Sequence, residues 1–191
     1  MAIMKLGHVN IVVDDIEEAS KYYCNLLKGK AVQRFNNFKN EGFSKSAGFM
    51  EDYDKVDVSI EFIEIDQSGI FIELMQYHYP NENINHINRD KKTHQIGGIG
   101  HICLKVEGIM DEFNRIKNTE EVRFISTHED YQPFQISPIK ADDFYFVDQE
   151  LEMNSEVKQE VVDVVGGIRY FYFIDKYGIQ WEFEEGHTDI G

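Results

Sequence analysis

The sequence predicts an α+β protein made of two tandem βαβββ modules, residues 4–77 and 98–186, with 78–97 as the linker between them. Three observations carry this. The segment LGHVNIVVDDI (6–16) lies over IGHICLKVEGI (99–109) at an offset of 101 − 8 = 93 residues. The module ends match too: GIFIEL (69–74) lies over GIQWEF (178–183), each a glycine turn opening a strand with a glutamate four residues on. Within each half, alternation of period two gives way to helical periodicity and then returns to strand patterns.

The elements follow in order. On the first strand Val9, Ile11 and Val13 share one face, and His8, Asn10 and Val12 share the other. Asp15 caps the following helix with Glu18 as capping-box partner, and Gly29 ends it. Ile16, Ala19, Tyr23, Leu26 and Leu27 form its apolar stripe. Strands are expected near 31–35 and 57–65, before the closing strand that holds Glu73. In the second half Ile102, Leu104 and Val106 face a helix near 109–117, whose Ile109, Phe113 and Ile116 point inward. Strands near 122–127 and 168–174 precede the closing strand that holds Glu182. From histidine to glutamate is 73 − 8 = 65 residues in the first half and 182 − 101 = 81 in the second. About 16 extra residues therefore fall in an insertion around 129–166.

Composition narrows the function. With 191 residues and 42% hydrophobic content the chain is globular, one compact domain or two small ones. A net charge of −16 repels a phosphate backbone, so nucleic acid is not an expected partner. It also weakly disfavours a large polyanionic substrate such as a coenzyme A ester, unless basic residues gather locally. Two cysteines, Cys24 and Cys103, make no disulfide framework and point to a reducing, cytoplasmic setting. The N-terminal segment lacks a signal-peptide layout, and no stretch approaches the roughly 20 apolar residues of a membrane span.

Strand alternation then places chemistry. His8 and Asn10 share a face with each other, as do His101, Cys103 and Lys105. Glu73 sits with Phe71 and Met75, and Glu182 with Gln180 and Glu184. Each module thus offers one histidine and one glutamate. A lone strand histidine is most often packed or at the surface. Recurrence of the same pair at equivalent positions favours a metal site of His8, Glu73, His101 and Glu182. Two imidazoles and two carboxylates suit Zn²⁺, Ni²⁺, Fe²⁺, Mn²⁺ or Co²⁺ better than Ca²⁺ or Cu(I). Four ligands on an octahedral ion leave two positions, enough for neighbouring substrate oxygens and a stabilised enediolate.

The motifs LGHVNIVVDDIEEASKYYCNLL, GIFIELMQY, GIGHICLKVEGI and YFIDKYGIQWEFEE resemble the vicinal oxygen chelate superfamily, which groups glyoxalases, bleomycin-resistance proteins and extradiol dioxygenases. They span both ends of both halves. Where the family often reads Asp-Pro-Asp-Gly, this chain has Asp175-Lys176-Tyr177-Gly178 and keeps the turning glycine. The resemblance implies paired modules forming a cupped, mixed, mostly antiparallel sheet around one divalent metal, with ligands at His8, Glu73, His101 and Glu182. It also implies a homodimer. The full ligand set looks most like glyoxalase I, with methylmalonyl-CoA epimerase similar. Both move a proton beside a carbonyl, with Glu182 and its counterpart Glu73 as candidate bases.

The expected activity is therefore a metal-dependent lyase or isomerase acting on a small carbonyl compound or its thiol adduct, through a metal-bound enediolate. The alternatives are an extradiol-type ring-cleaving dioxygenase and a non-enzymatic binding or resistance protein with an aromatic cleft. Candidate substrate contacts are Asn10, Phe71, Cys103, Lys105 and Tyr172. Tyr170 and Trp181 are further cleft candidates, with core packing the ordinary role of such rings. Arg34, Arg89, Lys105, Arg115, Arg123 and Arg169 are the basic residues available to an anionic substrate. Cys103 is a packed small residue or a reactive thiol. The acidic, aromatic insertion is a lid, an edge hairpin, a solvated helix or a dimer contact. His78, His86, His94 and His128 fall in linker or loop, and His187 beside the C-terminus, none with a matching partner.

Overall fold

The computed structural model of the chain describes residues 6–66, 68–81 and 99–186. By internal contacts the chain divides into two units, Met1–His86 and Ile87–Gly191. The first runs β1 (Val9–Val12), α1 (Ile16–Leu26), β2 (Gly29–Phe38), the short α2 (Glu41–Ser46), β3 (Asp57–Ile65) and β4 (Phe71–Tyr79). Its sheet has the order β1-β4-β3-β2. The β1–β4 pair is parallel and the other two are antiparallel.

Each element has a local cause. The Asp15 carboxylate accepts the Glu18 amide at 2.9 Å and caps α1, as its position predicts. Ile16, Ala19, Tyr23 and Leu26 are buried. They face the strand residues that alternate inward, Ile11, Val13, Ile63, Ile72 and Leu74. The helix ends at Leu26, before Gly29, and Lys28 carries the left-handed turn. Gly29 serves another purpose: a Cβ there would stand 2.7 Å from Ile63 Cγ2 and 3.0 Å from the Glu64 carbonyl. A buried carboxylate, Glu61, is met by the Ser20 hydroxyl and by Arg34, which also pairs with Glu17.

The second unit runs β5 (Ile102–Lys105), α3 (Ile109–Lys117), β6 (Arg123–Phe124), β7 (Phe134–Gln135), a 3-10 turn (Ala141–Asp143), α4 (Gln149–Glu152), α5 (Ser155–Gly167), β8 (Arg169–Ile174) and β9 (Gln180–Glu185). The order β5-β9-β8-β6 repeats the first sheet, with β5–β9 parallel and β8–β9 antiparallel. The core is aromatic. Phe113 of α3 stacks on Phe124 at 4.4 Å and meets Phe171 edge-on. The turn between β8 and β9 is tied by Asp175, which accepts the Tyr177 and Ile179 amides and the Trp181 indole N–H. Gly178 supplies the left-handed backbone there (φ +80°).

The strand near 122–127 and the start of the linker differ from expectation, and the insertion gains its detail. The strand near 122–127 shrinks to Arg123–Phe124, and β7 resumes pairing on the same edge of β8 ten residues later. Between them the chain leaves the edge, and the Tyr131 phenol accepts the Tyr172 amide at 2.7 Å and donates to the Tyr172 carbonyl at 3.1 Å. A side chain replaces a missing ladder bond. The segment expected as insertion holds β7, the 3-10 turn, α4 and α5, and within α5 the buried residue is Lys158. Lys158 Nζ binds Glu152 at 2.6 Å and the Phe144 carbonyl at 3.2 Å, tying these pieces together. The linker expected from residue 78 lies outside the described residues from 82 on. Positions 78 and 79 are still β4, where His78 Nε2 meets Ser59 Oγ at 2.8 Å, so His78 lies in a strand rather than in the linker.

Candidate metal centre

Each module brings its histidine and glutamate together. His8 immediately precedes β1, and its Nε2 lies 3.2 Å from Glu73 Oε2 on the neighbouring β4. His101 immediately precedes β5, and its Nε2 lies 2.8 Å from Glu182 Oε2 on β9. In both pairs the imidazole is open to solvent (43% and 37% exposed) and the carboxylate is buried. Both imidazoles also meet a ring edge-on: Phe62 of β3 at 5.7 Å and Tyr172 of β8 at 5.4 Å. Phe62 stands opposite Glu73 in register, as Tyr172 stands opposite Glu182. The duplication thus reaches the third strand of each module.

The two carboxylates have different company. Asn10 Nδ2 donates to Glu73 Oε2 at 3.1 Å and to the Glu73 carbonyl at 3.2 Å. Glu182 receives the Tyr172 hydroxyl instead. Burial first, and the Glu182 charge second, hold that phenol well above its usual range. Cys103 takes the position equivalent to Asn10. The residue as a whole is exposed, yet partial burial of its thiol, followed by the Glu182 and Glu184 charges, pushes the thiol up to about 12. It is therefore a thiol near neutral pH, and a reactive thiolate is not favoured. Glu184, one step along the same face, is buried as well.

Other candidates separate. Phe71 is half-buried on β4 and lines an open cavity of about 260 Å³ with Gly7, Val32, Gln33 and Phe62. Lys105 is exposed on the His101 face, and Tyr170 and Tyr172 are half-buried on β8. Trp181 is fully buried with its N–H on Asp175, so it packs the core and lines no cleft. Arg34 is engaged by Glu61 and Glu17, and Arg115 by Glu112 at 2.7 Å, so neither is an open anion anchor. Arg169 lies 3.9 Å from Glu185. His128 sits in a loop beside Asp130. Arg89, His86, His94 and His187 lie outside the described residues.

Within each module an imidazole nitrogen and a carboxylate lie side by side, donor types that a divalent transition metal accepts. Sequence reasoning did not single out Glu184 or Phe62. The alternation that placed Glu182 also places Glu184, whereas Phe62 is brought to His8 only by strand pairing. No helix among the described residues is long and apolar enough to cross a membrane.

Comparison with known proteins agrees with this architecture. No curated protein matches the chain. A glyoxalase family protein from Bacillus cereus is similar in structure, with a TM-score of 0.66 at 15% identity over 98% of this chain and 97% of that one. The genomically encoded fosfomycin resistance protein FosX from Listeria monocytogenes gives a TM-score of 0.51 at 14% identity, over 98% and 96%. A mutant of that FosX complexed with Mn(II) and 1S,2S-dihydroxypropylphosphonic acid gives 0.50 at 15%, over 98% and 95%. At such identities the likeness speaks for the fold alone. The model of the Glyoxalase/Bleomycin resistance protein/Dioxygenase superfamily matches residues 5–183. By that match over nearly its whole length, the chain belongs to this superfamily.

Proposed function

We propose that the chain is a divalent-metal-dependent lyase or isomerase of the glyoxalase type, which moves a proton at the carbon beside a carbonyl in a small substrate or its thiol adduct. His8, Glu73, His101 and Glu182 are the ligands in this reading. The observation that supports it is one geometry occurring twice: an open imidazole within 3.2 Å or less of a buried carboxylate, braced by an edge-on ring. Buried carboxylates are stabilised by a cation.

A bound divalent ion would supply Lewis acidity to the substrate's oxygens. The chain's own groups do the rest. Glu182 and Glu73 take the proton from carbon and return it, a role typically worth ~10²–10⁴-fold. Tyr172 orients Glu182 and Asn10 orients Glu73, through the bonds each already makes. Phe71 bounds the cavity that would seat an apolar substituent, and Cys103 and Lys105 stand exposed on the His101 face of the second module. A homodimer, a cytoplasmic location and a small-molecule partner complete the reading. The two unbridged cysteines suit a reducing compartment.

A second reading, a non-enzymatic binding or resistance protein, draws on the open cavity beside His8. Metal content of the purified, untagged chain by elemental mass spectrometry separates the two. About one divalent ion per chain is expected, lost in His101→Ala and weakened in Glu73→Ala. Iron retained by Glu73→Ala would favour a ring-cleaving dioxygenase. No ion in the wild type, after reconstitution with Zn²⁺, Ni²⁺, Mn²⁺ or Fe²⁺, overturns the enzyme reading and leaves the binder.

A further inference from the structure

The two modules share their His–Glu pair and differ in what flanks it. Two residues before the carboxylate stands Phe71 in the first module and Gln180 in the second. Opposite the carboxylate stands Phe62 in the first and Tyr172 in the second. The first module thus presents two phenyl rings where the second presents an amide and a phenol. Those two rings, with Gly7, Val32 and Gln33, line the open cavity of about 260 Å³. Gln33 is set opposite Phe62, and Val32 falls within a register shift between Ala31 and Gln33. Further along the same face Val58, Ile60 and Met75 are packed under Phe38, Phe43 and Tyr77, so that end is filled. The open end is the one beside His8, whose ring lies 5.7 Å from that of Phe62. All five lining residues are uncharged. Around them Glu73 stands opposite Phe62, Glu64 opposite Phe71, and Lys30 opposite Glu64. An anionic group entering here meets two carboxylates against one lysine ammonium, whereas a neutral apolar group meets two rings and a valine.

We propose that this cavity is the specificity subsite of the first module, and that it selects an α-oxygenated carbonyl compound bearing an uncharged apolar group, a branched alkyl or a phenyl. The proposal rests on the metal reading above, which supplies the reacting end of that substrate at the His8–Glu73 pair, and adds the class of group that the carbonyl compound carries. Size agrees. Sites that enclose a whole small ligand run to roughly 300–1,000 Å³, so a smaller cavity seats one substituent. Phe62 and Phe71 supply the apolar contact, and Phe62 places it against the His8 ring. Val32 and Gln33 are exposed on the edge strand β2, so substitutions there change the wall of the cavity without touching the core. A carboxylate or phosphate at this end of the substrate is disfavoured by the neighbouring Glu73 and Glu64.

Titration of the full chain, ¹³C-labelled at valine methyls, with benzyl alcohol and with benzoate tests it by NMR. The two probes share a phenyl ring and differ in charge. Each titration is run on the chain as purified and again after any bound ion is removed, so that coordination of benzoate by an ion is separated from entry into the cavity. Benzyl alcohol should shift the Val32 methyl signals saturably in both samples, and benzoate should leave them in place in the ion-free one. Val32→Asp puts a carboxylate in the wall and should weaken benzyl alcohol binding by ~10-fold or more. Gln33→Arg supplies the missing positive charge and should admit benzoate, a gain that a misfolded variant would not show. Val32 methyls unmoved by benzyl alcohol overturn the subsite, and benzoate bound by the ion-free wild type as tightly as benzyl alcohol overturns its preference for a neutral group. Metal content of the same sample keeps the two readings apart. An ion-loaded chain whose Val32 methyls stay unmoved loses the subsite and keeps the metal centre. A chain that takes up no ion yet binds benzyl alcohol at Val32 keeps the cavity as a binding site for a neutral apolar group and loses the metal centre.

Discussion

Replacing Tyr131 by Phe tests how the second sheet keeps its edge intact. The phenol lies among Phe113, Phe124 and Phe134, and the substitution keeps that ring packing. What goes is the oxygen. The Tyr172 carbonyl retains a second donor, the Ile125 amide at 3.1 Å, so it is not orphaned. The Tyr172 amide loses the acceptor it has at 2.7 Å. One unsatisfied amide costs roughly 1–3 kcal/mol when buried, and about 1–2 kcal/mol here, because the site is half-buried and water can partly replace the phenol. For a chain of this size that lowers Tm by roughly 2–8 °C. Thermal unfolding followed by circular dichroism reads the shift, and amide exchange at Tyr172 locates it. Because Tyr172 reaches both Glu182 and His101, metal affinity should fall in parallel. A Tm within about 1 °C of wild type, with Tyr172 exchange unchanged, would refute the reasoning.

Three other outcomes follow from the same geometry. Asp175→Ala removes a fully buried acceptor of three N–H groups at 2.9–3.0 Å and should destabilise the chain by about 3 kcal/mol or more, read as a loss of urea midpoint. Gly29→Ala forces a methyl against Ile63 and the Glu64 carbonyl and should cost about 1–3 kcal/mol in the same assay. Burial raises the Tyr131 and Tyr77 phenols above their ordinary 10.0, so the unfolded chain ionises first as pH rises. Stability linked to these groups is therefore complete below about pH 10 and declines as pH climbs toward the folded values. A denaturation series across alkaline pH should show that decline, smaller in Tyr131→Phe.

Much of the fold is legible in the sequence because its signals are local. Asp15 with its apolar stripe defines α1, and Ile109, Phe113 and Ile116 define α3. Alternation around His8 and His101 assigns each residue to a sheet face, and recurrence selects the His–Glu pairs. Those inferences need only a residue's neighbours in the chain. The tertiary structure alone decided what depends on pairing between distant strands. The edge strand near 122–127 has strand-forming residues, yet it stops after Phe124 because a phenol from the following excursion takes the bond a continued strand would have made. Arg34 looks available until β3 brings Glu61 beside it. Cys103 and Glu184 lie on predictable faces, but only the parallel register of β5 with β9 brings a thiol and two carboxylates into one cluster. Face is set by the two-residue period of a single strand, whereas contact is set by register between strands, which the packing of each whole module decides.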